Sequence, residues 1–417
     1  MKKLFTLIAA LFVMGTYAAQ AQSMKVYSNT DNVVVAFPLS ESGNMVFGYD
    51  PELEGRVFNI GQYSLEVSEI DSIVVDKNLS VPANTLMIHF DDKQGASLLA
   101  SPEMLAYIDN YEIKGNHVSV VADPDVDQEI NYVLSGSATN GSFYMDGHYK
   151  STITLNGVSL TNPDSAAICI DNGKRINIIL TDGTVNSFVD GTANTKKACF
   201  FVNGHAEFKG AGTLNITGLS RHAYASDEYT LLKPSTGTIN ILASANDGMH
   251  IEQYFQMDGG TLTINNVKGD CIDVSKTKDV ADESNGWVFV NDGKLTMTVS
   301  ADDTKGLKSD SCMTINGGTI TATVSGNGGK GLSVGSDLVI DQAEGKTTQI
   351  QMDVTGTTYT DPTDATNTSK CRGIKVKGNY TLKGGNISMN VTGKKAKGIS
   401  VDGTYTYVGG TSNVVPE

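Results

Sequence analysis

Proline and tryptophan are scarce in this chain: 9 prolines and a single tryptophan stand among 417 residues, against 44 glycines. That much glycine leaves little room for the unbroken 3.6-residue apolar periods a helical repeat needs. The leucine and asparagine pattern of a leucine-rich horseshoe is also missing. Basic charge is in short supply: 31 Lys and Arg against 46 Asp and Glu leave a net charge of −15. Nucleic acid needs a basic footprint, so it is excluded as a partner. Past the amino terminus no stretch is long and apolar enough to span a bilayer. No nucleophile–base pair and no phosphate-binding loop stands out. The five cysteines make an odd count, and Cys169, Cys199 and Cys271 fall in or beside apolar strand slots. They read as small buried hydrophobes.

What the chain does have is a recurring phrase. Asp247-Gly248-Met249, Lys305-Gly306-Leu307, Lys330-Gly331-Leu332, Arg372-Gly373-Ile374 and Lys397-Gly398-Ile399 each put a charged residue, a glycine and an apolar residue in a row. Gly306 and Gly331 are 25 residues apart, as are Gly373 and Gly398. A second phrase keeps step through Gly212-Thr213-Leu214, Gly237-Thr238-Ile239, Gly260-Thr261-Leu262, Gly293-Lys294-Leu295 and Gly318-Thr319-Ile320. A period in the twenties marks a solenoid, whose repeats bury their apolar faces by stacking. Between the phrases, runs such as Thr319 to Val324 alternate threonine with small or aliphatic residues, which is strand period. The class that remains is all-β: a parallel β-helix with about three short strands per coil. Nine candidate coils spaced ~4.8 Å apart predict a rod roughly 40 Å long. The period is broken at Ser275 to Gly286 and at Gly356 to Lys370, both read as loops leaving one corner of the coil.

Residues 1–21 have the form of a secretory signal: Lys2 and Lys3, an apolar stretch from Leu4 to Met14, and the small-residue site Ala19-Gln20-Ala21. An exported chain is expected, with no lipid anchor and no membrane insertion, since no cysteine follows the cleavage site. Residues 22–80 lack the period and read as a small β module closing on Ile70-Asp71-Ser72-Ile73, similar to a module of secreted bacterial proteins. Residues 81–130 are expected to form an irregular cap or connector, since a solenoid end must be covered. Residues 131–417 form the repeat domain, expected to be monomeric.

The order Tyr132-Val133-Leu134-Ser135-Gly136, Ile153 to Leu160, Ala166-Ala167-Ile168, Gly210 to Gly218 and Ala301 to Ser309 resembles a family of calcium-binding, carbohydrate-binding β-helices. The resemblance spans residues of about 130 to 410. It implies a right-handed coil like that of pectate lyases, binding plant polysaccharides such as polygalacturonate or cellulose without cleavage. The family's Asp-Asp-Gly turn becomes Asp302-Asp303-Thr304 here, and Asp-Gly becomes Lys-Gly or Arg-Gly in the last four coils. Calcium is therefore expected in the middle coils only.

Stacking supports that placement. Asp247 and Asp270 occupy one slot in adjacent coils, Asp273 follows, and Asp302 and Asp303 enter from the next coil. Carboxylates ~5 Å apart repel unless a cation lies between them, and a hard, oxygen-rich site suits calcium. Beyond these coils the slot turns basic at Lys305, Lys330, Arg372 and Lys397, with Lys308 and Lys375 two positions after the glycines. Such a ladder suits a polyuronate lying along the rod. The expected function is calcium-dependent binding of an acidic or plant-type polysaccharide. A polysaccharide lyase is the enzymatic alternative, with Lys305, Lys308 or His250 as base beside the acidic residues. A surface spacer or adhesin that binds a protein is the third reading.

Overall fold

The computed structural model describes residues 22–40 and 43–416. The secretory signal read at 1–21 lies outside them. The first coil bends one long strand, Ser151–Asn162, across two faces, and from residue 168 onward each coil contributes one short strand to each of three faces. Met249–Glu252, Tyr254–Met257 and Thr261–Ile264 make one such coil, on faces one, two and three in that order. Face one stacks in parallel from Gly141–Asp146 to Lys397–Val401. The molecule is the expected parallel β-helix.

Alternation builds the faces. In Gly318–Val324 the side chains of Ile320, Ala322 and Val324 are buried, while the threonines between them point outward. Parallel register repeats that choice in the next coil, where Ile350, Met352 and Val354 continue the same inward columns. Each buried Ile, Leu, Val or Met is worth roughly 1.5–3 kcal/mol against exposure. One coil offers only a few of them, so a coil is stable only between neighbours.

The repeated glycines form one column at the start of face one. Lys305, Lys330, Arg372 and Lys397 are successive register partners, and so are the leucines and isoleucines two positions on. Gly306, Gly331, Gly373 and Gly398 lie between them. A Cβ on Gly331 would sit 2.7 Å from both the Gly373 carbonyl oxygen and the Met352 sulfur. On Gly373 it would sit 2.6 Å from the Met389 sulfur. The column is glycine because backbone from the next coil and a thioether from face three fill the space.

Residues 81–130 are more regular than expected. They hold Thr85–Asp91, Ser97–Ala100, the short helix Pro102–Ala106 and a hairpin of Ile108–Lys114 with Asn116–Ala122. The second hairpin strand pairs in parallel with Gly141–Asp146, and the first pairs antiparallel behind it. Face one therefore ends in an antiparallel edge strand instead of an exposed parallel coil. The amino-terminal strands are continuous with the rod. Ser23–Ser28 pairs with Val33–Pro38, which pairs with Ser97–Ala100, then Thr85–Asp91, then Ile130–Ala138.

The period breaks leave two corners, not one. The first lies between Ile272–Ser275 on face one and Trp287–Val290 on face two. The second lies between Thr348–Val354 on face three and Arg372–Val376 on face one, and carries a hairpin of Thr358–Thr360 with Thr368–Lys370. Composition marks a segment as leaving the coil, but only register says from where. All five cysteines are free, and four are buried.

Candidate functional site

The outward side of face one holds the chemistry. Ala225, His250, Asp273, Lys308, Ser333, Lys375 and Ser400 are successive register partners along it. Beside this column runs the turn column of His222, Asp247, Asp270, Lys305, Lys330, Arg372 and Lys397. Its upper members are aligned by the bonds from Ala223 N to Asp247 O and from Gly248 N to Asp270 O.

Three coils bring together two imidazoles and three carboxylates. His222 opens the strand His222–Ser226, Asp247 ends the turn before Met249–Glu252, and His250 lies inside that strand. The two imidazoles stack, centroids 4.7 Å apart. His250 Nδ1 lies 3.7 Å from Asp247 Oδ2 and 3.1 Å from Asp273 Oδ2. His222 Nδ1 lies 3.2 Å from Asp247 Oδ2 without an aligned hydrogen bond, and this buried nitrogen has no hydrogen-bond partner. Asp247 Oδ1 accepts from Asp270 N at 2.7 Å. Asp273 Oδ1 accepts from Lys308 Nζ at 2.6 Å, and Asp270 Oδ1 accepts from Lys305 N at 2.8 Å.

Charges respond to this crowding. Burial opposes ionisation of Asp247, yet the two imidazoles beside it hold its carboxyl well below the usual range. Asp247 and Asp273 push His250 up to about 9. Asp270 is different: burial raises it to about 6, against the pull of Lys305. Lys308 is raised above its usual value, because its ion pair with Asp273 outweighs burial.

Calcium fits this group poorly. Calcium takes six to eight oxygens. Here imidazole nitrogens stand among the carboxylates; Asp247 and Asp270 each have one oxygen committed to a backbone N–H, and both oxygens of Asp273 are engaged, by Lys308 and by His250 and Ser275. His222, Asp247 and His250 nonetheless offer three donor atoms all within 4.8 Å of one another, a possible metal site.

Asp302 and Asp303 are not brought to this group. The residue inserted before the glycine puts Asp303 in the left-handed region, φ 52°. Asp302 then accepts from Asn327 N at 2.8 Å, and Asp303 lies 3.4 Å from Lys330 Nζ. The basic column is present but unevenly available. Lys330 Nζ donates to Gly328 O and Ser369 Oγ, and burial lowers its pKa. Arg372 is 8% exposed, its guanidinium donating to Cys371 O at 2.6 Å. Lys305 donates to Asp303 O, and Lys375 pairs with Asp402. Lys397 is exposed, with no ion pair among the described residues.

The carbohydrate-binding domain-containing protein model matches residues 114–415. The chain belongs to that family. The residues matched run from the second strand of the capping hairpin through the last coil. A carbohydrate-binding domain-containing protein of Acetivibrio thermocellus is 26% identical over 122 residues, which cover 26% of this chain and 43% of that relative. The chain thus spans under half the length of that curated relative. Among solved structures, the polysaccharide lyase-like protein from C. thermocellum, studied as a gadolinium derivative, superposes with a TM-score of 0.51 at 22% identity. The match covers 64% of this chain and 99% of that one, and speaks for the shared fold.

The sequence analysis placed Asp247, Asp270, Asp273 and Lys308 in one neighbourhood and missed His222. A signal was available. His222 precedes Ala223, the residue in the glycine slot, just as Asp247 precedes Gly248. Outward aromatics were missed too: on face two His205 stacks on Tyr229 at 4.6 Å, and Tyr229 on Tyr254 at 4.7 Å. These rings cover one another's faces, and the Tyr229 hydroxyl donates to Glu207 at 2.9 Å.

Proposed function

We propose that this protein is an exported polysaccharide-binding rod that holds an acidic glycan along face one without cleaving it. The observation that carries this reading is the in-register column of basic residues over four consecutive coils. Family membership supplies the carbohydrate, and the form of residues 1–21 supplies export. Lys330 and Arg372 are the most enclosed; Lys305, Lys308 and Lys375 are partly exposed but already engaged by Asp303, Asp273 and Asp402, so a glycan would compete for them, while Lys397 is exposed and meets it directly. Each exposed charge pair contributes well under about 1 kcal/mol. Affinity then comes from several contacts made at once along a repeating polyanion. The expected calcium has weaker support, because the donor set that would hold it contains imidazole.

A lyase reading is not favoured. A lyase needs an unprotonated base, and the ion pair with Asp273 keeps the Lys308 ammonium charged.

The test is a glycan array run in calcium and in chelator, followed by titration with polygalacturonate. Lys375→Ala with Lys397→Ala should weaken polygalacturonate binding several-fold, leave neutral glucans untouched, and flatten the salt dependence. Unchanged binding in that double variant would move the glycan to another face. A chelator-sensitive rise in ultraviolet absorbance from unsaturated products would instead establish a lyase.

A further inference from the structure

We infer that His222, Asp247 and His250 form a site for one zinc-class divalent ion, distinct in chemistry from a calcium site. The inference stands on the donor set and its spacing, independently of which glycan the rod binds.

The donors are two imidazole nitrogens and one carboxylate oxygen. That combination suits borderline transition ions, zinc above all, and suits calcium badly. Zinc bonds of ~2.0–2.1 Å at a tetrahedral angle place neighbouring donors about 3.3 Å apart. Here His222 Nδ1 and His250 Nδ1 lie 3.2 and 3.7 Å from the same oxygen, Asp247 Oδ2. The three ligand atoms are all within 4.8 Å of one another. A bound ion lies in the plane of each imidazole it touches, so one ion reaches all three donors once one ring turns out of the 21° stack.

The surroundings hold these donors in place. Asp247 is oriented by Asp270 N on its other oxygen, leaving Oδ2 toward the imidazoles. The imidazoles stack at 4.7 Å, a contact that ion binding would exchange for coordination. They come from strands in adjacent coils, whose spacing is fixed by the parallel ladder. Such outer-shell partners typically set metal affinity by 10–100-fold. Asp273 Oδ2, 3.1 Å from His250 Nδ1, also accepts from Ser275 Oγ at 3.2 Å and stays outside the three-residue donor set.

A second observation agrees. His222 Nδ1 is buried, with no hydrogen-bond partner among the described residues, although a carboxylate lies 3.2 Å away. A buried polar atom left unsatisfied costs ~1–3 kcal/mol. A bound ion gives that nitrogen a partner. It also replaces the proton that His250 Nδ1 would otherwise share with Asp247 and Asp273.

Three protein donors leave room for water or a ligand oxygen on a four-coordinate ion. The geometry assigns metal binding to these residues and no reaction.

The experiment uses the full mature chain, dialysed against chelator and then against buffer, with no glycan present. Zinc is titrated in competition with a chromophoric chelator, and cobalt is titrated separately while visible absorption is recorded. One zinc per chain should bind, a large molar excess of calcium should not displace it, and cobalt should give the intense visible bands of tetrahedral coordination. His222→Ala and His250→Ala should each weaken zinc at least about tenfold. Zinc should raise the melting temperature of the wild type and not of the variants. If a variant fails to fold by circular dichroism, His222→Gln takes its place, and the wild-type cobalt spectrum still reads the ligand type. The inference is overturned by wild type that binds no zinc, by calcium displacing zinc mole for mole, or by folded variants that bind zinc as tightly as wild type. Because the titration contains no glycan, its failure leaves the polysaccharide reading standing, and the reverse holds too.

Discussion

Asp270 is the residue whose chemistry is least at ease with its position. It is largely buried, its neighbours include Asp247 and Asp273, and its carboxyl is raised to about 6. A folded-state value above the unfolded one, ~3.9, favours folding while the group is protonated. That contribution is complete below about pH 4 and is lost as pH rises through 6. At neutral pH the ionised carboxylate therefore costs stability. Asp270→Asn keeps an oxygen for Lys305 N and removes the charge. It should stabilise the chain by about 1–2 kcal/mol at pH 7, since one pKa unit is ~1.4 kcal/mol, and give no gain at pH 4. Chemical denaturation of both proteins at the two pH values reads this directly, in chelator so that no ion contributes. A variant equally stable or weaker at pH 7 would show that Lys305 and the local backbone bonds already neutralise the carboxylate.

At the scale of the strand and its turn, the glycine column decides how tightly coils close. Gly331→Ala would push a Cβ to within 2.7 Å of a carbonyl oxygen and of the Met352 sulfur. Overpacking of this kind costs about 1–3 kcal/mol. A lowered denaturation midpoint is the expected outcome, and an unchanged one would mean the coils can separate by a few tenths of an ångström at no cost. The same column explains what was legible. Gly306, Gly331, Gly373 and Gly398 announce themselves because the position tolerates little else, so the period survives in the letters. Upstream, Ala223 and Cys271 take the slot, and the phrase fades although the coil persists. His222 hid there, since its partners His250 and Asp247 become neighbours only once Ala223 is stacked under Gly248. The irregular cap expected at 81–130 was misjudged for a related reason. Its strands pair with neighbours that do not recur along the chain, so no periodicity marks them.

Across the whole molecule the two ends differ. At the amino-terminal end the hairpin of Ile108–Lys114 and Asn116–Ala122 covers face one, its outer strand pairing on one side only, while the adjoining sheet runs on into the strands of 23–76. At the other end Tyr405, Tyr407 and Val408 are 49–66% exposed, and the strands Tyr405–Tyr407 and Thr411–Val415 each pair on one side only. In a stack held by nearest-neighbour contacts, such an end opens first. Hydrogen exchange should be fastest in the coil of residues 397–415 and slow progressively toward residue 141. Uniform protection along the rod would count against sequential stacking.

The columns of face one change character along the rod, from imidazole and carboxylate at His222 to Asp273 to ammonium at Lys305 to Lys397. A strip that reads differently from its two ends has a direction. A polysaccharide has one as well, since its reducing and non-reducing termini are not equivalent. Sliding such a chain by one coil, or turning it end for end, would set its groups against different partners. A glycan bound along this face should therefore lie in one polarity and one register, like a key whose cuts can be read only from the tip.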